Sequence, residues 1–246
     1  MLQEMSILFA EIRTASQGQN NNDLEDSSEW MRTNLSWTEP TILANHGFID
    51  KYTGESIIAL FESADQALNA GIEIYNSLGD YNQQRLENNY SPIDLGIGIH
   101  TGVFYPEISK IPNIKEGKMA DDDLNLVHQI EKLTQSYGVS LFISHHALLK
   151  LDDITYYNLR FIDRVKVDHQ PEMVTVYEVF DTDALEICQL KALTKTEFEQ
   201  ALVLYNMERF HQAALLFEDC LGTNPQDQAA EIYLQRCRQS TTSLIG

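Results

Sequence analysis

The sequence predicts a mixed α/β domain followed by an all-helical C-terminal extension. Three observations support this: strand-like and helix-like stretches alternate as far as Phe180, a glycine-centred hairpin lies among them, and only helical periodicity follows residue 193. The 246 residues are 43% hydrophobic, enough for one large domain plus an appendage. We expect the domain to span residues 1–181, and a linker with the helical extension to span residues 182–246.

The first predicted element is a strand over residues 6–12, a short apolar run. Residues 16–28 are polar and rich in asparagine, which predicts a loop. Within residues 29–45 we expect a helix that is broken or ended near Pro40.

The hairpin over residues 47–61 is the centre of the predicted sheet. Gly54 supplies its turn, because glycine adopts positive φ at little cost. The apolar run after the turn predicts a strand with alternating burial, or one buried throughout if both faces of the sheet are covered. Lys51 and Glu55 flank the turn, where they suit a phosphorylated ligand or a metal; a solvated charge pair is the simpler interpretation.

Strands and helices alternate through the rest of the domain. Residues 64–78 place apolar side chains at i, i+3 and i+4, which predicts an amphipathic helix, and residues 94–100 predict a strand. We expect irregular structure over residues 103–123 and a helix over 124–137 that ends at Gly138. The remaining predicted elements are strands at 139–144, 161–167 and 174–180, a short helix at 145–151 and a turn at 168–172.

The C-terminal extension contains predicted helices at 194–205, 211–221 and 227–238. Its apolar positions resemble one tetratricopeptide-type hairpin; they are Phe198, Tyr205, Phe210, Ala213, Phe217, Leu221 and Pro225. A stable solenoid needs about three such units, so we expect this one to pack against the main domain or a partner. Residues 182–193 are expected to form the linker, with a helix as the alternative.

Charge and composition argue against several classes of function. The formal net charge is −20, so nucleic acid and anionic lipid should be repelled. No apolar run approaches the roughly 18 residues that span a membrane, and residues 1–9 are too short and acidic for a signal peptide. Cys188, Cys220 and Cys237 are far apart, which favours reduced thiols. We therefore expect a cytoplasmic protein without nucleic-acid binding or membrane insertion.

Several stretches together resemble the class III adenylate/guanylate cyclase domain, in its bacterial and especially cyanobacterial form. They are SILFAEIR, HGFIDKYTGESIIALF, PIDLGIGIHTG, LNLVHQIEKLTQSYGVSLFIS and IDRVKV…VTVYEVFD, in the family's order. The resemblance implies a ferredoxin-like βαββαβ core with extra elements, a head-to-tail dimer and a shared ATP site with two Mg²⁺ ions. The helical tail also resembles the extension that follows many cyanobacterial cyclase domains.

The resemblance places glutamates where the family binds metal with aspartates. Glu11 stands at the first metal position and Glu55 at the second. Glutamate reaches roughly 1.5 Å farther, whereas Mg²⁺ demands a near-ideal octahedron. We therefore expect no cofactor, with Mg²⁺ or Mn²⁺ only if a nucleotide is bound.

The nucleotide-contacting positions have diverged unevenly. Lys51 retains the cation that contacts adenine, while Lys118 falls on the second base-reading position, usually Asp or Thr. Glu107 and Lys110 replace glycines in the loop where the backbone approaches the nucleotide, so side chains would crowd it.

The transition-state positions are mostly lost. Asn125 is retained, but Gln129 replaces the Arg four residues later and Gln170 replaces the phosphate-binding Lys, beside Asp168. Losing one aimed donor typically costs about 10²–10³ in rate, and losing both could cost roughly 10⁴–10⁶. Asn125 also has a simpler interpretation, as a polar residue on a helix surface.

Other polar residues have structural interpretations. His100 is expected to be a satisfied buried histidine, and His145 and His146 to belong to a capping turn. The acidic run at 121–123 precedes a helix, where negative charge suits the macrodipole, and it lacks the spacing of a calcium loop.

Three functions remain open. The first is a catalytically degenerate pseudo-cyclase that acts through protein contacts, as a homodimer or as the partner of another cyclase-fold or regulatory protein. The second is a weakly active adenylate cyclase that converts ATP to cAMP and diphosphate, with Glu11 and Glu55 as metal ligands and Lys51 reading adenine. The third is a nucleotide-binding sensor without turnover.

Overall fold

The computed structural model describes residues 3–13, 35–107, 116–166 and 173–243. Within this part the strands are β1 (Gln3–Arg13), β2 (Phe48–Thr53), β3 (Ser56–Phe61), β4 (Asp94–Glu107), β5 (Glu116–Met119), β6 (Leu141–Ser144), β7 (Leu159–Lys166) and β8 (Met173–Val179). The helices are α1 (Glu39–Ala44), α2 (Ala64–Glu87), α3 (Asp121–Tyr137), α4 (His145–Leu148), α5 (Leu185–Asn206), α6 (Phe210–Thr223) and α7 (Gln228–Ser243).

The eight strands form one mixed sheet in the order β2-β3-β1-β4-β6-β8-β7, with β5 paired to β4. The β4–β6 pair is parallel, and the other pairs are antiparallel. Helix α3 connects the two halves of the sheet, since it follows β5 and leads into β6. The predicted α/β fold with a helical C-terminal extension is confirmed.

The central hairpin forms as the sequence predicts. Gly54 has a φ of +60° in its turn, a conformation that suits glycine. Every residue of β3 is buried, so the strand is covered on both faces and the burial does not alternate. Glu11 of β1 lies opposite Ser56 of β3 and opposite Gly96 of β4, which places β1 between these two strands.

Two predicted irregular regions are regular. The strand expected to end at residue 100 continues to Glu107 and pairs with β5, and α3 begins at Asp121. The prediction of irregular structure over 103–123 was therefore wrong for these segments, while residues 108–115 lie outside the described residues. The reason is tertiary: β1 extends far enough for Gln3 to pair with Phe104. The linker expected at 182–193 is mostly helical, because α5 runs without a break from Leu185.

Apolar side chains form three buried clusters. One lies under α2 and includes Ile57, Ala59 and Ile97. A second, on the other side of β1 and β3, includes Phe9, Ile58 and Val127. A third joins the C-terminal helices to the outer strands and to α3; its members include Leu126, Ile130, Ile162, Phe198, Phe217 and Tyr233. The helical extension therefore packs on the main domain and shares its core.

The three cysteines are free thiols. Of the helices in the described ranges, none has the length and apolar character to cross a bilayer. The predicted loop at 16–28 and the turn at 168–172 lie outside the described residues.

Candidate functional site

The two predicted metal positions meet at one end of the sheet. The backbone N–H of Ile12 donates to the carbonyl oxygen of Glu55 at 2.9 Å. Glu11, the preceding residue on β1, lies opposite Ser56, the residue after Glu55. Both glutamates are partly exposed. The fold thus brings together the backbones of two glutamates that lie 44 positions apart in the sequence.

A third carboxylate, which the sequence analysis missed, lies beside Glu11. Glu131 projects from α3, is 2% exposed, and lies close enough to Glu11 for that carboxyl group to raise its pKa. Arg13 donates to Glu131 Oε1 at 3.4 Å and also pairs with Asp94 at 3.8 Å. This arrangement needs Gly96, because a Cβ there would lie 1.9 Å from Glu131 Oε1.

The Glu11–Glu131 pair is poorly compensated. Burial first, and the nearby Glu11 carboxyl second, raise the pKa of Glu131 to about 7, against the opposing influence of Arg13. Glu131 Oε2 is buried and receives no hydrogen bond from the donors in the described chain. Protonation of Glu131 reduces the repulsion between the two carboxyl groups, in keeping with its raised pKa.

The donor set does not fit a preformed two-metal site. Across residues 3–13, 35–107, 116–166 and 173–243, no group of three or more His, Cys, Asp or Glu side chains could hold a metal ion. Arg13, a cation, already lies against Glu131. Since Mg²⁺ prefers six oxygens in near-octahedral geometry, a nucleotide's phosphates would have to supply much of the coordination.

The predicted nucleotide-contacting lysines are both exposed. Lys51 lies on β2 and pairs with the neighbouring Asp50 at 3.8 Å. Lys118 lies on β5, opposite Tyr105 of β4. Their roles in reading the base stay predictions.

Of the transition-state positions, two lie on α3 and one is not described. Asn125 is exposed and Gln129, one turn later, is partly buried, so both are on the same side of the helix. Gln170, Asp168 and Lys110 lie outside the described residues, as does the side chain of Glu107.

His100 belongs to a buried network that joins β4, β6 and α3. Its Nδ1 lies 2.8 Å from Ser144 Oγ and its Nε2 lies 3.2 Å from Asp123 Oδ1. Burial opposes ionisation of Asp123, but hydrogen bonds from His100 and from the Val103 N–H lower its pKa overall. Because His100 is 2% exposed and its ring nitrogens both have partners, the structural interpretation fits.

A second buried charge cluster lies where the C-terminal helices meet the sheet. Arg160 of β7 donates to both carboxylate oxygens of Asp227, at 2.6 and 2.9 Å, and its Nε donates to Glu178. Lys191 of α5 donates to Glu178 at 2.5 Å and pairs with Asp183 at 2.6 Å. Burial disfavours the charge on Arg160, but Glu178 and Asp227 outweigh it and raise the arginine's pKa.

Two curated relatives are similar in sequence, although no protein-family model matches the chain. The chain is 28% identical over 247 residues to "Adenylate cyclase, terminal-differentiation specific" of Dictyostelium discoideum, a match that covers 98% of this chain. It is 30% identical over 182 residues to an adenylate cyclase of Anabaena cylindrica, which covers 71% of this chain. The matches span only 12% and 36% of those two proteins.

Solved cyclase structures share the fold. The guanylyl cyclase Cya2 superimposes with a TM-score of 0.58 at 23% identity, covering 73% of this chain and 92% of that one. The adenylyl cyclase CyaB from P. aeruginosa gives 0.57 at 19% identity, with 73% and 94% covered. A bacterial light-regulated adenylyl cyclase gives 0.61 at 18% identity, with 75% and 54% covered.

Proposed function

Because the chain belongs to the class III adenylate/guanylate cyclase family, we propose that it is a catalytically degenerate member, a pseudo-cyclase that acts through protein contacts. The observation that carries the proposal is the pairing of Glu11 with Glu131. The carboxylate at the family's first metal position lies beside a buried carboxyl group of its own chain, and it raises the pKa of that group. That contact opposes the ionised, outward-facing arrangement that a catalytic metal needs.

The charges near the site support the same conclusion. Cyclisation develops negative charge on phosphate oxygens, which metals and fixed cations stabilise. Arg13, a cation two residues after Glu11 on β1, is already paired with Glu131 and Asp94. Gln129 carries no charge to replace the arginine that the family has at this position.

We propose that the protein contacts use the cyclase domain itself. The fold is intact while the catalytic side chains have changed, as expected if the surface is what matters. The partner would be a second copy of this chain or another protein with a cyclase-type domain. Light scattering of the full chain at tens of micromolar should detect an assembly larger than a monomer; a monomer throughout that range would contradict self-association.

Turnover tests the degenerate-site proposal. The wild type should make no measurable cAMP from ATP with Mn²⁺, and a repaired variant should gain activity. The repaired variant carries Glu11→Asp, Glu55→Asp, Gln129→Arg and Gln170→Lys. The matched control is Gln135→Arg, because Gln135 is an exposed glutamine on the same helix. This control variant should stay inactive. A wild-type rate on the order of 1 s⁻¹, ordinary for an enzyme, would overturn the proposal.

One observation favours a second candidate, a weak adenylate cyclase. The fold brings Glu11 and Glu55 to the same end of the sheet, and both curated relatives are named adenylate cyclases. In that case Glu11→Gln should abolish a measurable wild-type activity, whereas Gln135→Arg should not. Calorimetry with ATP and with cAMP separates both candidates from a sensor, which would bind a nucleotide without turnover.

A further inference from the structure

We propose that the C-terminal helical unit, α5 to α7, sets the position of helix α3 and thereby controls the Glu11–Glu131 contact. This inference concerns the mechanics of the fold and does not depend on whether the protein turns over ATP. The helical unit would then be a regulatory element, because a partner that binds or displaces this unit would change the carboxylate site.

The first support is that α3 lies between two buried clusters. Leu126 and Ile130 are buried in the cluster that contains the C-terminal helices. Val127, the next residue after Leu126, belongs to the cluster on β1 and β3. Glu131 follows Ile130, and its carboxyl lies over Gly96, the residue paired with Glu11. Successive helical residues differ in direction by about 100°, so any rotation of α3 on one cluster must move side chains in the other.

The second support is the tight seat of α3 on the sheet. A Cβ at Gly98 of β4 would lie 2.7 Å from the carbonyl oxygen of Val127 and 2.8 Å from the backbone N of Glu131. The helix backbone therefore rests directly on the strand at the level of Glu131. With no side chain between them to absorb a shift, a displacement of α3 translates directly into a displacement of the Glu131 carboxyl.

The third support is a polar and aromatic lock at the last residue of α3. The hydroxyl of Tyr137 donates to Asp163 of β7. Arg236 of α7 donates to the same hydroxyl at 3.1 Å and pairs with Asp163 at 3.5 Å. The guanidinium also lies 5.3 Å from the ring centre of Tyr137 and 4.8 Å from that of Tyr233. One arginine of the helical unit thus fixes the end of α3.

A displacement of Tyr137 has to pass along only a short length of rigid helix to reach Glu131. Tyr137 and Glu131 belong to one continuous helix of 17 residues, and six residues of α-helix rise about 9 Å. No glycine or proline interrupts α3 between them. We therefore expect α3 to respond to its C-terminal lock as a rigid body rather than by local bending.

A double-mutant cycle tests this coupling in the full chain. Arg236→Ala removes the lock and Glu131→Gln changes the site; their effects on the unfolding equilibrium should depart from additivity by about fivefold or more. The control pairs Glu131→Gln with Arg238→Ala, because Arg238 is exposed, lies on the same helix and pairs with Glu218. That pair should be additive within about twofold, as is usual for independent sites. Additivity within the same limit for the Arg236 pair would overturn the proposal.

A milder variant keeps the test valid if Arg236→Ala unfolds the C-terminal unit. Tyr137→Phe removes the hydroxyl and keeps the ring that packs on Phe142 and Tyr233. Amide hydrogen exchange followed by mass spectrometry should show about tenfold faster exchange in the α3 segment that contains Glu131, the change expected from the loss of one hydrogen-bonded contact. Faster exchange confined to α7, with α3 unchanged, would show that the lock is structural only.

Discussion

Two buried charge clusters in the described part of the chain contain the same kinds of groups and differ in how the charges are balanced. At the C-terminal junction, Arg160 has a bidentate partner in Asp227 and a further one in Glu178. At the carboxylate site, Glu131 faces another carboxylate and shares Arg13 with Asp94. Buried ionic groups that are fully paired serve architecture, whereas those left uncompensated with shifted pKa values mark candidate functional sites.

The largest expected effect tests the balanced cluster. Arg160→Ala leaves Asp227 buried without its paired cation and leaves Glu178 with Lys191 alone, which should lower the free energy of unfolding by about 3–5 kcal/mol. Urea denaturation measures the change. Arg164→Ala is the matched control, since Arg164 lies on the same strand and is exposed; it should change stability by no more than about 0.5 kcal/mol. Similar losses of stability for both variants would contradict a stabilising role of the charge pairs that Arg160 makes in the buried cluster.

The second effect is pH dependent and comes from the same cluster. Burial opposes ionisation of Asp227, but the hydrogen bonds and charge of Arg160 lower its pKa overall. A carboxyl with a lowered folded pKa stabilises the protein above its unfolded pKa of about 3.9 and loses that contribution as pH falls below it. Asp227→Asn should therefore cost about 2–3 kcal/mol near pH 6, and the deficit should shrink toward pH 3. A deficit that is constant with pH would contradict this assignment.

A third effect tests how closely α3 approaches the sheet. A Cβ at Gly96 would lie 1.9 Å from Glu131 Oε1 and 2.1 Å from Arg13 Nη2. Gly96→Ala should break the Arg13–Glu131 pair and cost about 1–3 kcal/mol. Gly79→Ala on α2 is the control, because nothing lies within 4 Å of its Cβ position; it should be stabilising by up to about 1 kcal/mol, as alanine is a better helix former. Thermal unfolding distinguishes a loss from a gain.

The sequence predicted the sheet and most helices because their apolar periodicity is local. The sequence-based prediction failed for β5 and for the end of β4. These two segments pair with each other, and β4 also pairs with β1, about a hundred residues earlier in the chain. Glu11 and Glu55 were identified from the family resemblance, but the contact with Glu131 was not. The missed signal was position: Glu131 follows Val127 by four residues, so a charge falls on a buried helical stripe.

The same positional signal was available for Arg160, which stands where β7 buries its side chains. A lone charge at such a position indicates a buried partner, but not which one, because Asp227 lies 67 residues away. Similarly, Gly96 and Gly98 are two residues apart and therefore lie on the same face of β4. Glycines placed in this way are typical of a strand that another backbone approaches closely. Only the fold reveals that the approaching element is α3.

The smallest expected effect is the one that addresses the carboxylate site directly. Burial, with the Glu11 carboxyl next, raises the pKa of Glu131 to about 7. A carboxyl with a raised folded pKa stabilises the protein below its unfolded pKa of about 4.3, and that contribution is lost as pH rises through the folded value.

The Glu131→Gln side chain cannot ionise and still offers an amide to Glu11. We expect the variant to be about as stable as the wild type at pH 5 and about 1 kcal/mol more stable at pH 8, after allowance for Arg13 and for relaxation of the site. Urea denaturation at the two pH values measures the difference. Glu73→Gln, a change of the same chemistry at an exposed position on α2, should show no such dependence. A variant that is less stable than the wild type at pH 8 would mean that the ionised Glu131 is compensated by Arg13 after all, and the contrast between the two clusters would then be one of geometry rather than of charge balance.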